Sequence, residues 1–195
     1  MFPLILGVIA DTHIPDRARS LPPQVEAVFR QAGVRVILHA GDLIHPRVLR
    51  QLEALAPTYA VRGNRDIYLL RHLPRQRVFT LSELSGQPLP PEQDITIGLI
   101  HGHGTLKEYL HDKVTHLFRG VPFRRFEERA LAAFPQAQVV IFGHIHFPVQ
   151  RVIEGRLLFN PGSPTTPIFR GLPPTVGLLY LTPGQPPRAE IRELT

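Results

Sequence analysis

Aspartate, histidine and asparagine residues that could bind metal ions stand in five short segments of the sequence. The segments are Asp11-Thr12-His13, Gly41-Asp42, Gly63-Asn64, His101-Gly102-His103 and Gly143-His144-Ile145-His146. Each follows a predicted strand, and in open α/β sheets ligands bind beyond the carboxyl ends of the strands. The chain has no cysteine, which excludes thiolate zinc sites, iron–sulfur clusters and cysteine nucleophiles. Oxygen and imidazole donors without thiolate are typical of sites for hard-to-borderline divalent metal ions.

The spacing within the segments favours convergence on one site. In an extended segment, residues two apart project to the same side. We therefore expect Asp11 to act together with His13, and His144 with His146. Glycine permits a tight turn that directs the following side chain inward. Three of the polar residues are preceded by such a glycine: Gly41, Gly63 and Gly143.

The ordered set of segments is a stronger signal than any one of them. Taken singly, Asp-x-His or His-x-His is a weak motif, because either can arise from composition alone. The chain has only two asparagines, Asn64 and Asn160, and both lie in segments of this kind. Since asparagine is otherwise excluded from the chain, we expect both to have chemical roles.

The elements that must position these residues alternate between strands and helices over the first three quarters of the chain. Apolar runs predict strands over residues 2–10, 34–38, 58–61, 95–100 and 137–142. Apolar residues at helical spacing predict helices over 20–33, 46–56 and 123–134. A helical segment near the site is expected at about 104–134. After Gly143, short strands at 149–153, 156–159, 176–181 and 189–194 predict an antiparallel tail over about 147–195.

Length and composition indicate one folded domain spanning residues 1–195. The chain has 195 residues, of which 43% are hydrophobic and 19% charged, so it carries enough apolar material for a core and is not a disordered or fibrous chain. The apolar opening run lacks a charged leader and is too short to span a bilayer. We therefore expect a protein without signal peptide or membrane segment, located in the cytoplasm.

The net charge of +6 comes from 22 basic and 16 acidic residues. Only Lys107 and Lys113 are lysines, so arginine supplies almost all of the positive charge. A basic protein attracts polyanions, and arginine is suited to bidentate contact with phosphate. A compositional bias from a GC-rich or heat-adapted source would produce the same pattern, and the sequence leaves both interpretations open.

The same residues make the sequence resemble the calcineurin-like metallophosphoesterases. The resemblance covers most of the chain and rests on Asp11-x-His13, Gly41-Asp42, Gly63-Asn64-Arg65-Asp66, His101, Gly143-His144-x-His146 and Asn160-Pro161-Gly162-Ser163. The short length and the last of these segments are most similar to the small bacterial and archaeal phosphodiesterase branch, to which the retromer scaffold subunit is related. The resemblance implies an α/β fold, a four-layer α/β/β/α sandwich of two mixed sheets.

The resemblance also implies a site for two divalent metal ions. Its seven ligands are divided between them: Asp11, His13 and His146 for the first ion, Asn64, His101 and His144 for the second, and the carboxylate of Asp42 as the bridge. A bridging hydroxide would attack phosphorus in line while both ions neutralise charge on the phosphoryl oxygens. We expect manganese first, and iron, zinc, nickel or cobalt suit the same donors. The implied reaction is hydrolysis of a phosphate ester, with diesters favoured over monoesters.

Two further candidate catalytic residues, Arg65 and His103, leave alternatives open. Many relatives carry histidine where this chain has Arg65, and the small branch often has cysteine. Arginine cannot act as a general acid at neutral pH, but its guanidinium can clamp a phosphoryl oxygen; the alternative is a simple ion pair with Asp66. His103, two residues from His101, either donates a proton to the substrate or orients its loop.

The remaining polar residues have weaker expected roles. His39 either supports a ligand or is a core histidine satisfied by backbone groups. We expect Asn160 to brace the metal-bearing loops and Ile145 to point away from the metals. Ser163 lacks the Gly-x-Ser-x-Gly context of a nucleophile. Surface or packing positions are expected for His45, His72, His111 and His116.

Phenylalanine and arginine alternate over residues 118–126. Such a surface can stack bases and bind phosphates. At the start of a helix, however, the alternation is more typical of one face in the core and one face in solvent.

Two classes of function are compatible with these observations. The first is the phosphoesterase, and the second is a non-catalytic protein-binding scaffold on the same fold. The complete set of seven ligand residue types favours the enzyme. A nuclease would need an extended basic groove, for which a chain of this length has little room. We therefore expect a small phosphate ester or nucleotide-type substrate, with no membrane or nucleic-acid partner, and leave a homo-oligomer open.

Overall fold

Two five-stranded sheets lie at the centre of the computed structural model, which describes residues 3–119 and 122–195, and the side chains of all of these except residues 106, 113, 114 and 116–119. The first sheet contains β1 (Leu4–Ile9), β2 (Val36–His39), β3 (Thr58–Ala60), β9 (Thr175–Leu181) and β10 (Arg188–Glu193). Its order is β10-β9-β1-β2-β3. Strands β1, β2 and β3 are parallel, whereas β9 is antiparallel to both of its neighbours.

The second sheet is also mixed. It contains β4 (Gln76–Thr80), β5 (Thr96–Ile100), β6 (Val139–Phe142), β7 (Pro148–Ile153) and β8 (Arg156–Pro161), in the order β4-β5-β6-β8-β7. Strands β5, β6 and β8 are parallel, and the edge strands β4 and β7 are antiparallel to their neighbours. The helices of the described residues are α1 (Pro23–Ala32), α2 (Pro46–Glu53), α3 (Leu81–Ser85), α4 (Leu106–Arg119) and α5 (Phe123–Ala133).

Alternating side chains on the strands build three layers of core. On β1, Leu6 and Val8 face the second sheet, while Ile9 faces the helices α1 and α2. On β6, Val139 and Ile141 lie between the sheets, and their neighbours pack against α5. Because side chains of a strand alternate between its two faces, each sheet is covered on both sides. The predicted four-layer α/β/β/α sandwich of two mixed sheets is confirmed.

The prediction for the tail needs a correction. Strands β7 and β8 form an antiparallel hairpin, as do β9 and β10, but the two hairpins belong to different sheets. Strand β8 also runs parallel to β6. Residues 147–195 therefore contribute antiparallel hairpins to both sheets, and their buried side chains pack against the helices as well as between the sheets.

Two elements were missing from the sequence prediction, β4 and α3. In β4 only Phe79 is buried, because the strand lies at a sheet edge, and this weakens the apolar alternation that would reveal it. Helix α3 has five residues, too few for helical periodicity to appear. Among the described residues, no helix is both long and apolar enough to cross a membrane.

Candidate metal centre

The loops that follow β1 and β6 bring three candidate ligands together. His13 Nε2 lies 3.0 Å from His146 Nε2, and His146 Nε2 lies 3.5 Å from Asp11 Oδ1. The donor atoms of these three residues are all close enough to surround one ion. Asp42 completes the group, because its Oδ2 is 3.5 Å from His13 Nε2.

A second group of candidate ligands lies on the other side of Asp42. His101 Nε2 is 3.1 Å from Asn64 Oδ1 and 3.3 Å from His144 Nδ1. The second carboxylate oxygen of Asp42, Oδ1, is 3.5 Å from His101 Nε2. The structure thus brings together all seven residues that the sequence singled out as ligands, with the two oxygens of Asp42 facing different groups.

The backbone of these residues is left-handed, not extended. Of the seven non-glycine residues with positive φ in the described chain, five are candidate ligands: Asp11 (54°), His13 (46°), Asp42 (59°), His144 (72°) and His146 (52°). Our explanation of the two-residue spacing by extended segments was therefore wrong, although the side chains do converge. Such conformations are costly for residues with a Cβ and cluster at functional sites, where the surrounding structure enforces them.

Two glycines are required here for different reasons. Gly41 has φ of 93°, which favours glycine, so its predicted role in a tight turn agrees with the structure. Gly63 does not have positive φ; a Cβ at this position would overlap Asp42 Oδ1. Its role is close approach between the loops after β2 and β3, which differs from the predicted turn.

Hydrogen bonds fix which nitrogen of two histidines faces the centre. His101 Nδ1 lies 2.8 Å from the carbonyl oxygen of Ala40, and His146 Nδ1 lies 2.6 Å from that of Thr166. A carbonyl oxygen can only accept, so each Nδ1 donates and carries the proton. The unprotonated Nε2 of each ring is then directed at the candidate centre, as a metal ligand requires.

Asp66 supports the loops that carry Asp42 and Asn64. Its buried carboxylate accepts hydrogen bonds from the backbone N–H groups of Asp42 (2.8 Å), Gly63 (2.8 Å) and Ile44 (2.7 Å). This role was not predicted from the sequence, in which Asp66 stood out only as a candidate ion-pair partner of Arg65. The spacing of an Asp shortly after Gly-Asn was the available signal.

Arg65 pairs with a different acid from the one proposed. Its Nη2 lies 2.9 Å from Asp16 Oδ2, at the exposed rim of the centre. The predicted alternative, a pair with Asp66, is wrong because Asp66 is buried and its oxygens are occupied by backbone donors. The backbone N–H of Arg65 donates to Asp42 Oδ1 at 2.8 Å and helps to orient that carboxylate.

The end of β8 and the residues that follow it brace the centre from behind. Asn160 Nδ2 donates to the carbonyl oxygen of Gly143 (2.9 Å), and Asn160 Oδ1 accepts from Gly162 N–H (2.9 Å). Ser163 Oγ donates to the carbonyl oxygen of Asp11 at 2.8 Å. These contacts agree with the predicted bracing role of Asn160, and Ser163 serves the same purpose.

His39 is both a core histidine and a neighbour of a ligand-bearing loop, so the two predicted alternatives hold together. The side chain is fully buried; its Nδ1 accepts a hydrogen bond from Gly41 N–H at 3.1 Å, and its Nε2 lies 3.3 Å from Thr12 Oγ1. It is thus satisfied in part by the backbone and also contacts the loop that holds Asp11 and His13. Burial, followed by the charge of His101, lowers the pKa of His39 to about 3.

Burial disfavours the charged forms of both acids and bases in the centre. Burial and the neighbouring Asp42 raise the pKa of Asp11 well above its usual range, and burial raises the pKa of Asp42 to about 7. Burial likewise lowers the pKa of His13 to about 3 and that of His101 to about 4. Positive ions would stabilise ionised carboxylates and neutral imidazoles together.

A buried carboxylate oxygen of Asp11 that lacks a hydrogen-bond partner among the described residues agrees with metal binding at this centre. Asp11 Oδ1 is buried and has no hydrogen-bond partner among the described residues, and it faces His13 and His146. Buried carboxylate oxygens are normally paired. The donor set of carboxylate, imidazole and amide oxygen fits divalent metal ions, so the residues present fit the group that the sequence resemblance implies.

His103 lies at the edge of the second ligand group. Its ring centroid is 5.3 Å from that of His101 and 6.3 Å from that of His144, and its buried Nδ1 has no hydrogen-bond partner among the described residues. Burial, followed by the charges of His101 and three arginines, lowers the pKa of His103 to about 3. Both predicted roles of His103, proton donor to the substrate and support of its loop, stay predictions.

Helices α4 and α5 cover one side of the centre through residues that sequence analysis missed. The ring of Phe126 packs edge-on against His144 with centroids 5.0 Å apart, and Tyr109 lies 6.1 Å from the same ring. Arg129 donates to the carbonyl oxygen of Gly102 at 2.9 Å and pairs with Asp112 at 2.8 Å. It therefore ties α4, α5 and the loop after β5 together.

The alternating stretch over 118–126 agrees with the core-and-solvent interpretation where it is described. Phe126 is buried and Phe123 packs against the same core cluster, whereas the side chain of Arg124 is 89% exposed. Gly120, Val121 and the side chains of residues 116–119, including His116, lie outside the described part of the chain.

The other side chains set apart by the sequence lie away from the candidate ligands. Ile145 is buried in the core cluster next to α5, as expected for a residue that points away from the centre. His45 Nδ1 accepts from Arg47 N–H at the start of α2. His72 and His111 are exposed.

Comparisons with known proteins place this geometry in a family. A model of the calcineurin-like phosphoesterase superfamily domain matches residues 4–184. A probable metallophosphoesterase of Methanothermobacter thermautotrophicus is 39% identical over 164 residues, which are 84% of this chain and 79% of that protein.

Solved structures share the fold at lower sequence identity. Vacuolar protein sorting 29 of Cryptosporidium parvum superposes with a TM-score of 0.67 and 18% identity over the whole of both chains. The structure of a novel archaeal phosphodiesterase superposes with a TM-score of 0.59 and 20% identity, covering 96% of this chain and 99% of that chain. The match over residues 4–184, together with the curated relative, shows that the chain belongs to the calcineurin-like phosphoesterase superfamily.

Proposed function

We propose that the protein is a phosphodiesterase that uses two divalent metal ions. The observation that carries the proposal is the position of Asp42, whose Oδ1 and Oδ2 face two separate groups of nitrogen and oxygen donors. A carboxylate that meets two such groups is suited to bridging a pair of ions. When bound, the ions would acidify a water molecule and neutralise charge on the phosphoryl oxygens.

The residues are assigned to the two ions as follows. Asp11, His13 and His146 would hold one ion, Asn64, His101 and His144 the other, and Asp42 both. The donor set supports manganese, and iron, zinc, nickel or cobalt suit it as well. The protein's own contribution is to hold these donors in place through the hydrogen bonds of Asp66, Asn160 and Ser163.

Arg65 is the residue proposed to contact the substrate phosphoryl group. Its side chain is 53% exposed at the rim and is within reach of solvent and ligand, while its backbone orients Asp42. Its guanidinium would exchange Asp16 for a phosphoryl oxygen and provide charge without donating a proton. His103 is the proposed second catalytic residue, because it lies beside the second ligand group.

The proposed setting is a single domain over residues 1–195, in the cytoplasm, acting on a small phosphate ester or nucleotide-type substrate. Membranes and nucleic acids are not proposed as partners, and self-association is left open. A protein-binding scaffold is the alternative function, and the fold shared with vacuolar protein sorting 29 is the observation that favours it. Asp11 Oδ1 is buried without a hydrogen-bond partner among the described residues, which favours the enzyme, since a scaffold has no need of such an oxygen.

The deciding experiment measures hydrolysis by metal-stripped protein resupplied with individual ions. Bis(4-nitrophenyl) phosphate and 4-nitrophenyl phosphate are the substrates, and we expect manganese to restore the greater activity on the diester. Asp42→Asn should lose at least about 100-fold in kcat/KM, whereas Asp94→Asn, a distant matched control, should not. If no ion restores activity to folded protein, the scaffold replaces the enzyme.

A further inference from the structure

We propose that Tyr109 contacts the substrate in the candidate metal centre, where its hydroxyl group donates a hydrogen bond to an oxygen of the phosphoryl group. The inference rests on the proposed function and adds a second substrate-contacting side chain beside Arg65. Tyr109 lies on α4, outside the segments that carry the candidate ligands.

The ring of Tyr109 lies directly beside a candidate ligand. Its centroid is 6.1 Å from that of His144, with an angle of 57° between the two rings. Phe126 of α5 approaches the same imidazole with centroids 5.0 Å apart. Phe126 is buried, whereas Tyr109 and His144 are both partly exposed. Tyr109 therefore stands where the second ligand group meets solvent, which is the side that a substrate can reach.

Hydrogen bonds fix the first turn of α4 and with it the position of Tyr109. Thr105 Oγ1 accepts the N–H of Glu108 at 3.3 Å, and Glu108 Oε2 accepts the N–H of Thr105 at 2.7 Å. This reciprocal pattern is a capping box. The backbone N–H of Tyr109 donates to the carbonyl oxygen of Thr105 at 2.9 Å. The start of the helix is thus held in one orientation.

An ion pair one turn further along α4 holds the same face of the helix against α5. Asp112 is buried, and its Oδ2 lies 2.8 Å from Arg129 Nη2. Tyr109 and Asp112 are three residues apart and therefore share a helix face. Arg129 also donates to the carbonyl oxygen of Gly102, in the loop that carries His101. The contacts of Arg129 thus keep the Tyr109 face turned towards the candidate ligands.

The phenol of Tyr109 also acts electrostatically on Arg65, the residue proposed to bind the phosphoryl group. The hydrogen bond to Asp16 is the main cause that raises the pKa of the Arg65 guanidinium, and the charges of Asp42 and of an ionised Tyr109 act in the same direction. Charges that are partly exposed are largely screened from each other beyond about 10 Å. The two side chains are therefore near enough to approach one phosphoryl group together.

A neutral hydroxyl group suits this position chemically. A further cation beside His144 would repel the metal ions that the centre is proposed to hold. The tyrosine hydroxyl adds no charge at neutral pH, and it can donate one hydrogen bond to a phosphoryl oxygen. Arg65 would supply positive charge at the rim, and Tyr109 would supply a neutral donor next to the second ligand group.

The kinetic test removes the hydroxyl group and keeps the ring. Hydrolysis of bis(4-nitrophenyl) phosphate is measured with manganese-loaded Tyr109→Phe, and we expect kcat/KM to fall about three- to tenfold, the scale of one hydrogen bond. The matched control is Tyr180→Phe, which removes a hydroxyl group that donates to Glu190 at 3.0 Å. Tyr180 pairs with Ile5 near the start of β1, whereas Asp11 follows the end of that strand, so the control should keep the wild-type value.

A spectroscopic measurement detects the contact itself without any turnover. The chain has four tyrosines, so protein labelled with carbon-13 at tyrosine Cζ gives four NMR signals, and Tyr109→Phe identifies one of them by its loss. Zinc-loaded protein is used because zinc has no unpaired electrons. Titration with inorganic phosphate should shift the Tyr109 signal and leave the Tyr180 signal in place. Sodium chloride at the same ionic strength should shift neither.

The two measurements distinguish failure of this inference from failure of the proposed function. A phosphate-dependent shift of the Tyr109 signal supports the contact even if no ester is hydrolysed. Absence of that shift overturns the contact even if diesters are hydrolysed, as does an equal kcat/KM in Tyr109→Phe and Tyr180→Phe. If Tyr109→Phe fails to fold, Tyr59→Phe, Tyr68→Phe and Tyr180→Phe assign the remaining signal by elimination, and the titration of the wild type decides.

Discussion

Asp66 holds the backbone of Asp42 in place: Asp66 Oδ2 accepts the Asp42 N–H at 2.8 Å. The same oxygen accepts the N–H of Gly63, so one carboxylate joins the loops after β2 and β3. A residue that contacts no ion thereby sets the orientation of the residue that would contact both.

Asp66→Asn should weaken both stability and metal binding. The amide nitrogen of asparagine cannot accept, so at least one of three buried N–H groups loses its acceptor. We expect unfolding free energy to fall by about 1–3 kcal/mol and manganese affinity to fall about 10–100-fold. Chemical denaturation and calorimetry measure the two effects. The control is Asp94→Asn, which alters a carboxylate bound to Ser82 far from the centre; equal manganese affinity in both variants would contradict the role of Asp66.

The metal-free protein should lose stability on acidification in part through His39. Burial lowers the pKa of His39 from its ordinary value of 6.5 to about 3 in the folded state. Between these values the unfolded chain binds more protons, so stability falls as pH falls below about 6.5. From pH 7 to pH 5.5 this residue alone accounts for about 1.2 kcal/mol.

His39→Asn tests this contribution. Asparagine supplies an acceptor for Gly41 N–H but does not titrate. Urea unfolding at the two pH values should show a smaller loss of stability in the variant, by about 1 kcal/mol. Parallel pH dependence in the two proteins would show that His39 titrates normally.

Arg129→Met should destabilise the protein more than a matched change on the same helix. Arg129 contacts Gly102, Glu108 and Asp112, and Asp112 is buried. We expect a loss of about 1–3 kcal/mol in unfolding free energy, since the buried carboxylate loses a charged donor. Arg124→Met removes the exposed pair with Glu128 and should cost no more than about 0.5 kcal/mol. Similar losses in both variants would contradict the central position of Arg129.

Arg65→Ala should reduce kcat/KM by about tenfold or more on phosphodiesters. The reduction should be greater for alkyl than for aryl esters, because a poor leaving group develops more charge on the phosphoryl oxygens. Asp16→Ala removes the partner of Arg65 and leaves its guanidinium in place. If Asp16→Ala matches Arg65→Ala, the ion pair matters and the clamp does not; a negligible effect of Arg65→Ala on both esters also rejects the clamp.

Apolar runs that end in polar segments predicted most of the strands and the meeting of the ligand candidates, whereas the four-layer arrangement came from the family resemblance. Strand β4 escaped detection, since an edge strand with one buried side chain has little pattern. The pairing of Arg65 with Asp16 joins residues 49 positions apart, and nothing in local spacing distinguishes Asp16 from the adjacent Asp66. The two-residue spacing correctly predicted that Asp11 and His13 lie close together. It did so on the assumption of an extended backbone, whereas the backbone of Asp11 is left-handed.

The left-handed backbone at the candidate ligands opposes the local conformational preference of the residues that supply the donor atoms. Replacing His144 or Asp42 by glycine removes a donor atom and also relieves a conformation that only glycine adopts freely. A substitution to glycine at these positions therefore removes a candidate metal ligand and lowers the backbone strain at the same time. The same positions therefore favour a ligand side chain when an ion is held and glycine when none is.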